Sequence, residues 1–290
     1  MVGSVTTGDV HLSSAECNLM NFEETLRVFE HYKPTEVVHL AAKVGGVQGN
    51  LNYPGDFYLR NILINTHVLE AARQVGVKRL AYASSSCIYS PDIPLPCRES
   101  DLHDAPPFYA HSAYAYTKRM LHVQSLAYRQ QWGCDFFGFV LVNLYGPGDN
   151  FDQVNGHIIP SLIARCCEAQ DTGTDFVVWG SGAPLREVVY VKDVGRVIDH
   201  LMTVPDLELV NISPGFELSV REIAKAVAAA AGFEGRIVFD TSKPDGQFRK
   251  PTDNSRLLSV LPADWKWTPL SEGLKETIEW YRANQSRVRK

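Results

Sequence analysis

The chain has no apolar run of the roughly 20 residues that a bilayer span requires. Residues 1–14 carry neither the basic stretch nor the apolar core of a secretory signal. Both absences lead to the expectation of a cytoplasmic protein that does not enter a membrane. No C-x-x-C pair and no zinc-like ligand spacing occur among the six cysteines, Cys17, Cys87, Cys97, Cys134, Cys166 and Cys167. Adjacent Cys166 and Cys167 suit neither a chelate nor an ordinary disulfide, so reduced thiols and no metal are expected. Positive charge is not in excess: 28 Lys and Arg stand against 33 Asp and Glu, for a net charge of −5 and a pI near 6.0. Nothing in that balance calls for nucleic acid or an anionic membrane. A phosphorylated ligand would need locally placed cations. Internal repeats and low-complexity tracts are also missing, and Asn211-Ile-Ser and Asn284-Gln-Ser read as chance matches to a glycosylation signal.

What is present is a chain of 290 residues and 32.3 kDa, 45% hydrophobic and 21% charged, enough to bury a sizeable core. Short apolar runs alternate with helical periods through its first half. Strands are expected at 10–12, 36–42, 79–84 and 136–142, and helices from about Asn21, then at 56–74 and 112–131. Asn21 and Glu24 are spaced as a capping box, and Gly76 stands where the second helix should stop. Such alternation predicts an α/β, doubly wound parallel sheet, whose ligands lie beyond the carboxyl ends of the strands. After Tyr145-Gly-Pro-Gly148 the elements shorten and mix, with helices at 158–169, 220–230 and 270–284 and strands at 176–179, 209–212 and 237–239. That pattern predicts a main domain over 1–152 and a smaller α+β lobe over 153–290, some segments of which return to the sheet.

Chemistry concentrates in Tyr114-Ala-Tyr-Thr-Lys118. Residues four apart share a helix face, so the Lys118 ammonium can sit under the Tyr114 hydroxyl. A neighbouring cation favours phenolate and is expected to lower the tyrosine's pKa, making it a proton donor to a carbonyl undergoing reduction. By itself the pair recurs on many helices. Its setting matters more: Ala83-Ser-Ser-Ser-Cys-Ile-Tyr89 runs from a strand end into a turn of small residues, where Ser85 could hydrogen-bond a substrate oxygen or merely satisfy the turn.

A strand-end serine cluster followed by Tyr-x-x-x-Lys is the order of the extended short-chain dehydrogenases/reductases, whose cofactor domain is Rossmann-like. The chain resembles one family among them, the GDP-L-fucose synthases, from about Val10 to its C-terminus. The resemblance is carried by His39-Leu-Ala-Ala-Lys-Val-Gly-Gly46, Ser85-Ser-Cys-Ile-Tyr89, Tyr114-Ala-Tyr-Thr-Lys118 and Asn143-Leu-Tyr-Gly-Pro-Gly-Asp-Asn-Phe151. Gly156-His-Ile-Ile-Pro160, Val178-Trp-Gly-Ser-Gly-Ala-Pro-Leu-Arg-Glu187 and Phe239-Asp-Thr-Ser-Lys-Pro-Asp-Gly-Gln-Phe-Arg-Lys250 continue it.

The resemblance implies epimerisation of GDP-4-keto-6-deoxy-D-mannose at C3 and C5, followed by NADPH-dependent reduction at C4. It assigns the epimerase acid and base to Cys87 and His157, and the reductase centre to Ser85, Tyr114 and Lys118. NADP contacts are expected from Asn18, Leu19, Ala41, Ala42, Lys43, Asn61, Lys118 and Asn143. The GDP-sugar is expected at Arg165, Trp179, Arg186 and Lys250, with Arg186 and Lys250 on the diphosphate. A homodimer pairing the helices at 56–74 and 112–131 is implied as well.

Two departures bear on these expectations. Family members carry a first strand and a Gly-x-x-Gly-x-x-Gly turn, of which only Met1-Val-Gly-Ser4 resembles the end. The sheet is therefore expected to lack its first strand and the helix N-terminus that seats the pyrophosphate. Leu141-Val142 stands where the family has Pro-Thr, next to the nicotinamide. A rival expectation follows from the first departure: a non-catalytic chain that binds GDP-sugar or pairs with a full-length relative. A dehydratase is disfavoured, because Ser86-Cys87 occupies the place of that class's acidic pair.

Overall fold

A computed structural model describes residues 10–154, 156–286 and 288. In chain order, α1 (Phe22–Tyr32), β1 (Glu36–His39), α2 (Val47–Asn52), α3 (Pro54–Val75) and β2 (Arg79–Ser85) come first. They are followed by α4 (Ser112–Trp132), β3 (Asp135–Leu141), β4 (Asn143–Tyr145), α5 (Ile158–Thr172), β5 (Phe176–Trp179) and β6 (Leu185–Arg186). The remainder is β7 (Val188–Tyr190), α6 (Val191–Leu201), β8 (Leu209–Ile212), β9 (Leu218–Ser219), α7 (Val220–Ala231), β10 (Ile237–Asp240), α8 (Ser255–Val260) and α9 (Leu270–Asn284).

The main sheet is parallel, in the order β1-β2-β3-β8. Successive residues of a strand face opposite sides, and the core divides accordingly. Leu80, Tyr82 and Phe136 pack against α1, α3 and α4. Ala81, Ala83, Phe137 and Phe139 pack against α6 and α8. Gly138 sits in register with Tyr82, and a Cβ there would lie 2.5 Å from the Tyr82 ring and 2.7 Å from Leu209. Only glycine leaves room for that tyrosine.

Residues 209–212 form β8, which pairs with β3 and completes the main sheet. A second core joins α5, α7 and α9 to the two-stranded β5–β10 pair, around Ile163, Phe176, Ile223 and Leu274. Joining the two are β4, which pairs with β7, and the short antiparallel β6–β9 pair.

Three local expectations need correction. Residues 10–12 form no strand: Val10 and Leu12 are exposed, and no described segment pairs with them. A strand without a neighbour leaves its backbone groups to water. The capping box is half made, since Asn21 Oδ1 accepts from the Glu24 amide at 3.1 Å but Glu24 Oε2 accepts from the Asn18 amide instead. β1 stops at His39 rather than running to Ala42, and the chain then turns out of the sheet at its carboxyl end. β1 is also an edge of the described sheet, with Val38 and Leu40 exposed. Residues 1–4, the candidate end of the Gly-rich turn, lie outside the described residues.

Candidate active site

β2 delivers its last residue, Ser85, to the carboxyl edge of the sheet, and a 3₁₀ turn over Ser86–Ile88 follows at once. The Ser85 hydroxyl accepts from the Cys87 amide at 3.4 Å and starts that turn. Helix α4 pins the backbone on both sides of it. Lys118 Nζ donates to the Ala83 carbonyl at 2.8 Å, while Arg119 donates to the Ile88 and Ala105 carbonyls, each at 2.8 Å. Both cations are buried against these neutral acceptors. Burial disfavours the charged form, and it brings the Lys118 ammonium down to about 8.

This geometry changes the expected role of Lys118. Its ammonium lies 6.0 Å from the centroid of the Tyr114 ring. The Tyr114 hydroxyl is nevertheless pushed up from its usual range, first by burial and then by the charge of Cys87. The expected lowering is thus absent, because the ammonium is directed at Ala83 while desolvation acts on the phenol. At neutral pH Tyr114 is a phenol with a proton to give.

Cys87 is half-buried. Burial opposes its thiolate, but Lys250, a hydrogen bond from His111 and the Ser85 hydroxyl outweigh that penalty and bring the thiol down to about 6. His157 stands at the N-cap of α5, its side chain 65% exposed. Its Nδ1 donates to Asp149 Oδ1 at 3.4 Å, and this hydrogen bond raises the imidazole's pKa, with a further contribution from the charge of Cys87. The charge of Cys87 contributes to the raised pKa of both Tyr114 and His157. The thiol is thus the group lowered towards its charged form, and the imidazole the group whose hold on a proton is strengthened.

The expected NADP residues border the carboxyl edge of the sheet with unequal freedom. Ala41, Ala42 and Lys43 follow β1 and are partly or fully exposed. Asn143 opens β4 and spends its amide on the Glu187 carbonyl at 2.8 Å. Asn61 departs from the expectation of a direct contact. It is fully buried, accepts from the Lys43 amide at 2.9 Å and donates to the Lys43 and Phe57 carbonyls at 2.9 and 2.7 Å. It clamps the loop that carries Lys43. Asn18 is exposed and accepts from the Met20 amide, and Leu19 accepts from His67 through its carbonyl at 3.0 Å. Leu141 and Val142, in place of Pro-Thr, pack into the apolar core on the α6 side of the sheet.

Arg165, Trp179 and Arg186 line a cavity of about 200 Å³ beside Pro184, Asp245 and Gly246. The Arg165 guanidinium lies 3.8 Å from the Trp179 ring centroid, so the two form one cationic and aromatic wall. The Gly180-Ser-Gly182 turn is tied to Lys-Pro-Asp-Gly by Ser181, which donates its amide and hydroxyl to Asp245 at 2.9 and 2.7 Å. Gly180 has φ +85°, and a Cβ there would strike Asp245 at 2.3 Å. Lys250, expected on the diphosphate, follows the same Lys-Pro-Asp-Gly segment, and its charge also acts on Cys87.

Four residues that the sequence did not single out belong to the site. Arg119 and Asp149 have just been placed. Glu187 is buried, and its carboxylate accepts from Ser213 and from the amide and hydroxyl of Thr252, the latter two at 2.9 Å. It thereby fixes the segment carrying Lys250. His111 occupies the N-cap position of α4 and is among the causes of the lowered Cys87 pKa. Asp149 and Glu187 lie in segments that carry the resemblance, and Arg119 follows Lys118 on the helix packed over the serine turn.

Residues 4–213 match the model of the NAD dependent epimerase/dehydratase family. A GDP-L-fucose synthase of Dictyostelium discoideum is 35% identical over 286 residues, 97% of this chain and 88% of its own length. GDP-L-fucose synthase 1 of Arabidopsis thaliana is 40% identical over 275 residues, 93% and 84% of the two chains. The crystal structure of a GDP-L-fucose synthetase from Naegleria fowleri bound to NADP superposes with a TM-score of 0.92 at 36% identity, covering 97% of this chain and 86% of that one. Identity of 35–40% along nearly the whole chain, with the family model matched over most of it, shows that this chain belongs to the GDP-L-fucose synthases of the NAD dependent epimerase/dehydratase family.

Proposed function

We propose that this chain epimerises GDP-4-keto-6-deoxy-D-mannose at C3 and C5 and then reduces C4, using NADPH. The observation that carries this reading is the turn at the end of β2, where the Ser85 hydroxyl accepts from the Cys87 amide and Lys118, one turn along α4 from Tyr114, donates to the Ala83 carbonyl. It supports a thiol and a phenol serving one carboxyl edge of the sheet.

The ketone at C4 acidifies the protons on C3 and C5. Thiolate is the reactive form of Cys87 above about pH 6, so its Sγ takes the proton and becomes a thiol. His157, charged through Asp149, returns a proton on the opposite face. Ser85 and Tyr114 hydrogen-bond O4 and stabilise the enolate while charge sits there. NADPH, when bound, supplies the hydride for C4. Tyr114 gives its phenolic proton to O4 as that oxygen becomes a hydroxyl.

Cofactor fit can be judged at the nicotinamide end. Lys118 is a fully buried ammonium with three N–H groups, of which Ala83 takes one. That leaves donors suited to ribose hydroxyls, beside Tyr114 and Asn143. Ala41, Ala42 and Lys43 would run along the dinucleotide, with Asn61 positioning them, and Asn18 and Leu19 would stand near the adenine. Arg165, Trp179 and Arg186 would hold the guanine nucleotide of the sugar. The cavity's stacked cation and ring suit a base and a phosphate.

Two copies would pair through α3 and α4. Tyr116, Met120 and Val123 recur at helical spacing on α4 and are exposed, as are Tyr58 and Leu59 on α3. Met120→Glu should then give monomers in sedimentation analysis; a variant that still sediments as a dimer removes this face from the interface. No helix among the described residues is long and apolar enough to cross a membrane.

Two substitutions test the chemistry. Cys87→Ser should abolish solvent deuterium exchange into C3 and C5, with a fall of at least about 10³-fold. Tyr114→Phe should exchange deuterium while oxidising NADPH slowly. If Cys87→Ser exchanges at the unaltered rate, Cys87 has no part in proton transfer. If the purified chain binds no NADPH at millimolar cofactor, the non-catalytic reading replaces this one.

A further inference from the structure

Residues 184–187 border two cavities. Pro184 and Arg186 line the one of about 200 Å³, while Leu185 and Glu187 line a separate one of about 520 Å³. Neighbouring residues of an extended segment point opposite ways, which gives this segment its two faces. Glu187 is buried, and its partners come from three other parts of the chain. Its carbonyl accepts from the Asn143 amide at 3.3 Å and from the Asn143 side chain at 2.8 Å. One carboxylate oxygen accepts from Ser213, just beyond β8. The other accepts from both the amide and the hydroxyl of Thr252, each at 2.9 Å.

We propose that Glu187 is the positioning residue for Lys250, holding the segment that carries it, through Thr252, where the ammonium meets the diphosphate of the GDP-sugar. The proposal rests on the reading of Arg186 and Lys250 as diphosphate partners, and it adds a residue that itself touches no substrate atom. Thr252 stands two positions after Lys250, so fixing its backbone fixes the base of the lysine side chain. Hydrogen bonds to an ionised acceptor are the stronger kind. Packing alone does not fix this segment, because Glu187 and Thr252 both border the larger cavity. Arg186 directly precedes Glu187, so one residue sets both cations expected on the diphosphate.

Cys97 holds the same segment at both neighbours of Thr252. Its amide donates to the Pro251 carbonyl at 2.9 Å, and its carbonyl accepts from the Asp253 amide at 2.8 Å. Loss of the Glu187 carboxylate should therefore shift Lys250 without unfolding the segment. Charge and position make opposite predictions for that loss. A carboxylate repels a diphosphate, so on charge alone its removal should tighten GDP binding. On position its removal should weaken GDP binding, because Lys250 loses its aim.

GDP is the probe, titrated calorimetrically into the purified chain, with NADPH titrated in parallel to identify folded variants. Glu187→Ala should raise the Kd for GDP about tenfold, the size of a lost charged hydrogen bond, and that for NADPH by less than about twofold. Glu187→Gln removes the charge, yet its amide oxygen still accepts from the Thr252 N–H, so GDP should bind within about threefold of the parent. Thr252→Val loses only the hydroxyl bond and should weaken GDP about threefold; it answers the question if Glu187→Ala does not fold. On a Lys250→Met background Glu187→Ala should cost less than about twofold, since the group it positions is gone. A merely structural role lowers the number of binding sites per chain and leaves Kd where it was. GDP affinity unchanged or tighter in a folded Glu187→Ala or Thr252→Val chain overturns the proposal, as does an undiminished cost without Lys250. A parent chain that binds no GDP at millimolar concentration removes the nucleotide reading itself, and this proposal with it.

Discussion

Cys87 and His157 have surroundings that differ in kind. The thiol lies in a half-buried turn pinned by Lys118 and Arg119 and is acted on by Lys250, His111 and Ser85. The imidazole stands at the exposed start of α5 with one carboxylate, Asp149, as its partner. In the enclosed region several weak influences combine because desolvation reduces screening. At the open rim the hydrogen bond to Asp149 is the largest cause of the shift, and water and salt compete with it. One fold can thus hold a thiol firmly in an enclosed turn and leave an imidazole at an open rim.

The largest test of the enclosed side is Lys118→Met, which removes the buried ammonium. Reduction should fall by about 10² to 10³-fold, the range of a lost acid–base group, while deuterium exchange falls much less. Single-turnover oxidation of NADPH beside a deuterium assay separates the two. Equal losses in both would mean that Lys118 holds the whole turn rather than the reductase half.

Arg119→Met should act on the turn itself. It leaves the buried Ile88 and Ala105 carbonyls unpaired, and the fold should lose about 2–3 kcal/mol, the range of a charged hydrogen bond. Thermal or denaturant unfolding measures this loss. A variant as stable as its parent would show that water replaces the guanidinium.

pH profiles compare the two regions directly. A depressed thiol gives thiolate above about pH 6, so epimerisation should rise as the pH passes through that value. Lys250→Met lets the thiol pKa climb and should move the acid limb upward, with a loss of about tenfold near pH 6. The same depression stabilises the folded chain above the unfolded thiol's pKa, and that contribution is lost as the pH falls through about 6.

His157 is shifted the other way. Its raised pKa keeps imidazolium present to higher pH, so Asp149→Asn should draw the alkaline limb downward. The expected loss is the smallest of the four, about two- to threefold, because an exposed pair is screened. Added salt should mimic it in the parent chain. An alkaline limb that neither salt nor Asp149→Asn moves would end the contrast between rim and interior.

Much of this was legible in the chain. The ends of α4, α5, α7 and α9 lie close to those expected from helical periodicity, since Gly133, Gly173 and Gly232 stop three of them in the left-handed conformation. β5 and β8 occupy the expected residues because each is a short apolar run bounded by polar or turn residues. Residues 10–12 misled, as an apolar triplet carries no record of whether a partner strand is there. Spacing along a helix brought Tyr114 and Lys118 together but could not tell that the ammonium points at Ala83. Lys250 could be located in a motif, though its charge on Cys87 could not be read there.

The sequence by itself determined the alternation of strand and helix, the serine turn ahead of Tyr114 and Lys118, and the thiol and imidazole that mark the family. These are local properties, readable because periodicity and short motifs are written in consecutive residues. Tertiary structure alone decided the electrostatics of those groups. Cys87 is lowered by Lys250, 163 positions away in the chain, and by His111 from the start of another element. Tyr114 is raised by burial and His157 by Asp149. Proton affinity depends on what lies within a few ångströms and on how much water is excluded, and folding sets both.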